Sequence, residues 1–247
     1  MISNPINGAI YFLEGLSLIN TKGIRRYVLI PLLINILIFS AGLWFAVSQF
    51  DLFISWALSE LPSWLSWLEW ILWPLFALTF YGVVFYGFSI IANILAAPFN
   101  GPLAAAVERN ISAPDHTSAN KPFIDEVKTS ILNELVKLKY ALFLMMPLIF
   151  LSLLSFAFPL ISPLVAVLWM VYTIWVLTLE YADYPMANHS IDFPMIREKL
   201  ASKRILSLGF GGMVLLGTMI PFINFLVMPV AVAGATKMYV QEFKNQA

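Results

Sequence analysis

The 247-residue sequence contains no cysteine, which excludes disulfides, thiolate metal sites and a cysteine nucleophile. Its two histidines, His116 and His189, have no metal-ligand spacing, and no HExxH or GxSxG motif is present. The glycine-rich GFGG at 209–212 lacks the Lys-Ser/Thr continuation of a phosphate loop and indicates close helix packing instead. Formal net charge is zero, so no overall field attracts a polyanion. The sequence therefore predicts a protein that is not an enzyme and has no cofactor, metal or nucleic-acid partner.

Charged residues are also scarce, at 11% of the chain, whereas a soluble domain has about 25%. Apolar residues make up 60%, and the mean hydropathy is +0.84. This composition predicts a membrane protein. Four long runs contain no charged residue, and they are 27–50, 70–107, 140–179 and 205–236.

The connections between these runs differ in charge. The connection between the first two runs carries only acids, namely Asp51, Glu60 and Glu69, and the other connections carry lysine and arginine. Because basic residues favour the cytoplasmic side, 51–69 is expected outside and the other connections inside. The third and fourth runs then start and finish on the cytoplasmic side, so each is predicted to be a hairpin.

The lengths of the hairpin legs limit how far they reach. A spanning helix needs about 20 apolar residues to cross about 30 Å of hydrocarbon. The fourth run leaves about 14 residues per leg, or about 21 Å, after a turn near Pro221 and Asn224, so it penetrates only partly. The third run, with Pro159 and Pro163 at its turn, leaves about 18 residues per leg, or about 27 Å. It forms either two thin spans or a deep partial hairpin.

We therefore predict an all-α integral membrane protein with two full transmembrane helices, two partially penetrating helical hairpins and amphipathic interfacial helices. The predicted organisation is a single membrane domain over 1–247, with an interfacial helix at 1–20, spanning helices at 27–50 and 70–107, hairpins at 140–179 and 205–236, and cytoplasmic segments at 108–139 and 180–204. Partial hairpins bring polar backbone groups to membrane depth, where protein or a water-filled cavity must cover them. A polar cavity or pore is expected, which a second copy of the chain could complete.

The stretch EGLSLINTKGIRR, residues 14–26, places two adjacent arginines just before the first apolar run. The first N–H groups of a helix have no partner within the helix, and its dipole is positive there, so an anion fits such a place. Arg25 and Arg26 add planar donors suited to an oxyanion, and Ser17 adds a hydroxyl. The alternative is that the arginines anchor the helix at the lipid headgroups. The pattern alone favours anchoring.

Two further segments hold polar residues at the edges of apolar runs. NILAAPFNGPLAAAVER contains Asn93, Asn100, Glu108 and Arg109, and LEYADYPMANH contains Glu180, Asp183 and His189. These seven residues are candidates for a pore lining or for proton coupling. The alternatives are a frayed helix end with an ion pair for the first segment and a cytoplasmic loop for the second.

Four features together resemble the CysZ sulfate permease family over nearly the whole chain. They are the Gly-Leu-x-Leu element at 15–18, the arginine pair at 25–26, APFNGPLAAAVE at 97–108 and LEYADYPMANH at 179–189. The resemblance implies a multi-pass protein of the bacterial inner membrane that takes up sulfate for cysteine biosynthesis without ATP hydrolysis. It also implies two long spanning helices, two hemi-penetrating hairpins and a homo-oligomer, dimeric or higher.

The resemblance places the sulfate-binding site at Gly15, Leu16, Ser17, Leu18, Arg25 and Arg26. Uptake would then be channel-like or proton-coupled, and no sequence feature selects between the two. The alternatives are a non-transporting membrane scaffold and a transporter of a related oxyanion such as sulfite.

Overall fold

A computed structural model describes the backbone of residues 4–59, 67–112, 123–220 and 223–244, and their side chains except those of 57, 58, 69, 81, 83–98 and 123–131. All regular secondary structure within these residues is helical, which confirms the predicted all-α class. The α-helices are α1 Pro5–Leu18, α2 Arg26–Ser59, α3 Glu69–Ile111, α4 Phe123–Ala157, α5 Ser162–Ala187, α6 Phe193–Ser202, α7 Arg204–Met219 and α8 Asn224–Glu242.

Three stretches of the described residues are long and apolar enough to cross a bilayer, which confirms a membrane protein. They are Arg26–Trp56, Leu132–Ala157 and Pro159–Ala187. The first contains the predicted span at 27–50. The second predicted span, 70–107, lies within the single helix α3, most of whose middle side chains are outside the described part.

The third apolar run folds as a helix, a tight turn and a helix, as its prolines predict. Helix α4 ends at Ala157, Pro159 starts a short 3₁₀ turn, and α5 begins at Ser162. The two legs have 26 and 29 residues, so each reaches about 40 Å, more than the bilayer core of about 30 Å. Both helices continue past the charged residues that bound the uncharged run. The number of full spans and partial hairpins stays a prediction.

The fourth apolar run forms two short helices. Helix α7 has 16 residues and α8 has 19, about 24 and 28 Å of helix. The break falls between Met219 and Asn224, where a turn was predicted; Pro221 lies outside the described residues. Helices α6 and α7 are bent from one another by 104°. Helix α8 is buried on every side from Val230 to Thr236, which makes it the centre of its unit.

The chain divides into two compact units, Arg26–Phe99 and Met1–Arg25 with Asn100–Ala247. In the larger unit, α1 packs against α7 and α8, and α5 packs against α4, α7 and α8. Helix α1 has two distinct faces. Gly8, Tyr11, Phe12 and Gly15 are buried. Ile6, Ile10, Leu13 and Leu16 are exposed, and they form an apolar face suited to the lipid interface.

Glycine lets α1 and α7 approach at backbone distance, as the GFGG segment predicts. A Cβ at Gly209 would overlap the carbonyl oxygen of Pro5, and one at Gly8 would overlap that of Leu206. A Cβ at Gly211 would overlap the carbonyl of Ile174 on α5. Small residues are the means by which helices in membranes pack closely.

The smaller unit joins α2 to the first part of α3 through aromatic rings. The ring of Phe50 stacks on Phe76 with centroids 3.9 Å apart and meets the edge of Trp73 at 4.9 Å. The rings belong to residues that flank, in the chain, the acidic connection 51–69, which was predicted to face the outside.

Candidate anion site and charge clusters

The predicted anion-binding element lies at the junction of α1 and α2. Helix α1 ends at Leu18, and α2 begins at Arg26. A tight turn joins them, in which Thr21 donates its N–H to Leu18 at 3.0 Å and accepts from Arg25 at 3.2 Å. Gly23 has a φ of +89°, a conformation that favours glycine. The turn thus places the two arginines at the N-terminus of a helix long enough to span the membrane.

Both arginines are exposed, and among the described residues no ion pair joins either guanidinium to a carboxylate. The side chain of Arg26 lies over the Tyr27 ring, with Cζ 4.9 Å from the centroid, and donates to the Tyr27 hydroxyl at 3.0 Å. Glu14, the acid of the same stretch, instead pairs with Lys237 of α8 at 2.9 Å. The local acid is therefore already neutralised by another cation.

The Gly-Leu-Ser-Leu residues themselves form the last turn of α1. Their N–H groups lie in the helical ladder, and the helix dipole is negative at this end. The Ser17 hydroxyl donates to the Glu14 carbonyl at 2.7 Å, within its own helix. Leu16 is exposed, and Gly15 is buried against α8. A direct anion contact from Gly15–Leu18 stays a prediction, and the geometry gives these residues a positioning role.

Replacing Gly15 by alanine tests that positioning role. A Cβ there would overlap the Val230 carbonyl oxygen and meet the Gly234 nitrogen, so α1 must move away from α8. We expect a loss of about 1–3 kcal/mol in the free energy of unfolding, as for other overpacked sites. Thermal unfolding in detergent measures it. Gly42→Ala is the matched control, because a Cβ added at Gly42 would have no atom within 4 Å. An equal melting temperature for both variants would contradict the close-packing assignment.

A second group of predicted residues meets around Glu108, near the end of α3. One Glu108 oxygen lies 2.8 Å from Lys244 Nζ, and His189 Nε2 lies 2.9 Å from both carboxylate oxygens. The side chains are mostly buried, with 12% of Glu108 and 21% of His189 exposed. One alternative prediction was an ion pair between Glu108 and its neighbour Arg109. The Arg109 side chain is exposed, and the Glu108 carboxylate forms its ion pair with Lys244 instead. No local pattern signals the Lys244 contact, because the two residues are 136 positions apart.

Two neighbouring asparagines, Asn188 and Asn100, also connect helices close to this group. Asn188 donates to the Gly101 carbonyl at 3.0 Å. Asn100 is buried and donates to the Met228 sulfur at 3.4 Å. Both contacts join the last part of α3 to other elements within the larger unit. The side chain of Asn93 lies outside the described part of the chain.

A third group gathers around Lys137 of α4. Its ammonium lies 2.9 Å from Glu134, 2.9 Å from Asp183 and 3.3 Å from Glu180. Only 13% of the Lys137 side chain is exposed. Glu134 and Lys137 are three positions apart on α4, a spacing typical of an ion pair on the surface of a helix. The structure adds Glu180 and Asp183 of α5, so the lysine joins the two legs of the hairpin.

A fourth group of interacting side chains lies at the C-terminal end of α8, and it was not predicted from the sequence. Glu242 accepts from Tyr11 at 2.8 Å and from Lys203 at 2.6 Å. Burial raises the pKa of Tyr11 well above its usual range, and the Glu242 contact adds to the effect. For Glu242, burial opposes ionisation, but the hydrogen bonds from Lys203 and Tyr11 outweigh it and lower the pKa of the carboxyl. This ionised carboxylate ties α1 to the end of α8.

Most of the predicted residues thus fall into three places. Gly15–Leu18, Arg25 and Arg26 lie along the α1–α2 junction, Glu108 and His189 meet near the ends of α3 and α5, and Glu180 and Asp183 meet at Lys137. The exposed guanidiniums suit an anion, and the carboxylate–histidine pair suits proton transfer. Within the described residues no three His, Asp or Glu side chains form a metal-binding group.

Comparison with known proteins gives consistent relatives. Residues 11–229 match a family model described as sulfate transporter CysZ/etoposide-induced protein 2.4. A protein named sulfate transporter CysZ from Pectobacterium atrosepticum is 39% identical over 97% of this chain and 86% of its own length. Another of that name, from Pseudomonas syringae pv. tomato, is 40% identical over 98% of this chain and 95% of its own. These names describe a transporter rather than an enzyme, in agreement with the prediction.

Proposed function

The chain belongs to the sulfate transporter CysZ/etoposide-induced protein 2.4 family, and on that premise we propose that it carries sulfate across a membrane. The proposed location is the bacterial inner membrane, and the proposed role is supply of sulfur for cysteine biosynthesis. Two relatives of about 40% identity that bear the sulfate transporter name support the substrate.

The observation that carries the proposal is the pair of exposed guanidiniums at the start of α2. Sulfate is a dianion, and two adjacent cations at one helix N-terminus offset both charges. Lys237 neutralises Glu14 at 2.9 Å, so this carboxylate does not compete for the arginines. In the proposed capture step, Arg25 and Arg26 donate to the sulfate oxygens and replace part of its hydration shell. The exposure of both side chains keeps binding weak enough for release.

Gly15–Leu18 act in this proposal by fixing the direction of the turn. Gly15 allows the α1 backbone to pack directly against α8. The ion pair between Glu14 and Lys237 joins the same two helices through their side chains. The turn that carries Arg25 therefore begins from a packed helix. A misplacement of this turn would separate the two guanidiniums from a common oxyanion.

Passage after capture requires a thermodynamic source. A membrane potential that is negative inside opposes sulfate by about 4.6 kcal/mol per 100 mV, since each charge contributes about 2.3 kcal/mol. Channel-like passage then depends on rapid consumption of sulfate inside, and proton-coupled passage depends on a titratable group. The Glu108–His189 pair is the proposed coupling group, because the imidazole Nε2 lies 2.9 Å from both carboxylate oxygens, within reach for proton transfer.

Uptake by purified protein in liposomes tests the proposed function. Labelled sulfate should enter protein-containing vesicles faster than protein-free vesicles, and unlabelled sulfate should compete. Sulfite, tested in the same way, distinguishes a related oxyanion as the substrate. Equal rates with and without protein would leave the chain as a non-transporting membrane scaffold.

Glu108→Gln tests the coupling group. We expect it to lower sulfate uptake by about tenfold, because the carboxylate that His189 and Lys244 both contact is lost. Uptake is measured with and without an imposed pH gradient, acidic outside. A stimulation present in the unmodified protein and absent in Glu108→Gln assigns coupling to this residue. Asp192→Asn is the control, because Asp192 is exposed and its side chain makes no cap hydrogen bond. Unstimulated uptake in the unmodified protein would favour channel-like passage.

We propose further that the 247 residues act as a single membrane domain and assemble as a homo-oligomer. The predicted partial hairpins would favour the second point, because a neighbouring copy would cover polar backbone at membrane depth. The oligomeric state is measured by light scattering of the protein–detergent complex with the detergent mass subtracted.

A further inference from the structure

A pocket of about 540 Å³ opens between α4, α5, α6 and α7, and none of its lining residues belongs to the predicted sulfate site. Its lining includes Tyr140, Val171, Trp175, Arg197, Glu198 and Arg204. Neither guanidinium forms an ion pair with a carboxylate of the described residues. The pocket therefore combines two aromatic rings, an apolar wall and two available cations.

The aromatic side of the pocket is fixed by its own contacts. The Tyr140 hydroxyl accepts a hydrogen bond from Trp175 Nε1 at 3.1 Å. The Arg197 guanidinium lies over the Tyr140 ring, with Cζ 5.2 Å from the centroid. The same tyrosine ring also meets the buried ring of Phe193 edge-on at 5.7 Å. Arg197 is thus held at the pocket before any ligand arrives, which reduces the entropy lost on binding.

The charge of the pocket selects a singly charged ligand. Arg197 and Arg204 contribute two positive charges and Glu198 one negative charge, all three on exposed side chains. Arg204 is also the first residue of α7, whose 16 residues place a positive dipole end there. A net charge of about +1 suits the single charge of a phosphodiester better than the double charge of sulfate.

The position of the pocket at headgroup level indicates that this phosphodiester belongs to a membrane lipid. Tyr140 begins an uncharged run that continues into the hairpin, and tyrosine and tryptophan are the residues enriched at headgroup level. Val171 is 42% exposed on the apolar side of the pocket, where an acyl chain would lie. Basic pockets between membrane helices on the cytoplasmic side bind anionic headgroups.

We propose that this pocket binds the headgroup phosphate of an anionic phospholipid. Arg197 and Arg204 donate to the phosphate oxygens, Tyr140 and Trp175 lie beside the glycerol backbone, and an acyl chain follows Val171. This assignment depends on the membrane location and not on sulfate transport, so it can fail while the transport proposal stands. The lipid links α4 and α5 to the α6–α7 bend.

Native mass spectrometry of the purified protein with phosphatidylglycerol tests the assignment. We expect Arg197→Gln/Arg204→Gln to weaken lipid retention by about tenfold or more, since each basic residue near a headgroup contributes to anionic lipid binding. Lys22→Gln/Lys139→Gln is the matched control, because it also removes two exposed cations but neither lines the pocket. Arg204→Gln alone, which keeps the Arg197–Tyr140 contact, should give an intermediate loss.

Three outcomes would overturn the proposal. Equal phosphatidylglycerol retention by the two double variants would show that charge alone, wherever placed, holds the lipid. Equal retention of phosphatidylglycerol and the zwitterionic phosphatidylcholine by the unmodified protein would show that the cations do not select the headgroup. Thermal stabilisation by inorganic phosphate, without retained lipid, would assign the pocket to a free anion.

Discussion

Replacing both Arg25 and Arg26 by alanine is expected to abolish saturable sulfate binding and uptake. A hydrogen bond to a charged group contributes about 1.5–3 kcal/mol, so losing one from each arginine weakens binding at least about 100-fold. The exposed position of both side chains means that the fold survives the change. Sulfate affinity is measured by calorimetry on the purified protein, and uptake is measured in liposomes.

Two matched variants separate anion binding from membrane anchoring. Lys22→Ala removes another exposed cation of the same turn and should leave sulfate affinity within about twofold, since ammonium and guanidinium are not equivalent donors. Arg25→Lys/Arg26→Lys keeps both charges for anchoring but removes the planar fork, so insertion should be normal and sulfate binding weak. If the alanine double variant bound sulfate with unchanged affinity, the two arginines would be membrane anchors and not anion ligands.

Replacing Lys137 by glutamine is expected to destabilise the α4–α5 hairpin. The substitution removes the cation that Glu134, Glu180 and Asp183 share and leaves three carboxylates close together. Removing one member of a buried ion pair costs about 3–5 kcal/mol, and the lower end applies because 42% of the Glu180 side chain is exposed. The measurement is the melting temperature in detergent at neutral pH.

Removing the acids together with the lysine provides the control. In Lys137→Gln/Glu180→Gln/Asp183→Asn the uncompensated charge is largely gone, so most of the lost stability should return. Lys139→Gln, two positions along on an exposed side chain, should leave the melting temperature unchanged. A triple variant as unstable as Lys137→Gln would mean that packing and not charge sets the effect.

The sequence predicted the helices and their breaks because both are local properties. An uncharged run shows where a helix lies in the membrane, and Pro159 ends α4 because it interrupts the hydrogen-bond ladder. The arginine pair was likewise visible, since its two members are neighbours in the chain. The predicted class and the α1–α2 junction therefore needed no tertiary information.

The lengths of the hairpin legs were underestimated for a physical reason. The predicted leg lengths counted residues only up to the first charged residue. That count assumes that every charged side chain needs contact with water. In the structure Lys137 of α4 meets Glu180 and Asp183 of α5, so these charges compensate one another within the helix pair. The helices continue past the point at which isolated charges would end a span.

The partners of Glu108 and Glu242 were not predictable from local patterns. Glu108 and its partner Lys244 are 136 positions apart in the sequence, and Glu242 and its partner Tyr11 are 231 positions apart. The periodicity of the residues along a helix shows which of its faces is apolar. It does not show which charged residue, distant in the sequence, contacts that helix. The same limit applied to α1, which was predicted as an interfacial helix without its buried glycine face.

The packing of α1 between α7 and α8 sets an order for biosynthesis. Helix α1 leaves the ribosome first, yet its partners on α8 come up to 231 positions later, roughly 10 to 50 s at ordinary synthesis rates. During that interval the α7 and α8 surfaces that cover Gly8, Tyr11 and Gly15 are still incomplete. The turn that carries Arg25 thus reaches its final position only after α8 has been synthesised, and the proposed anion capture would begin only then.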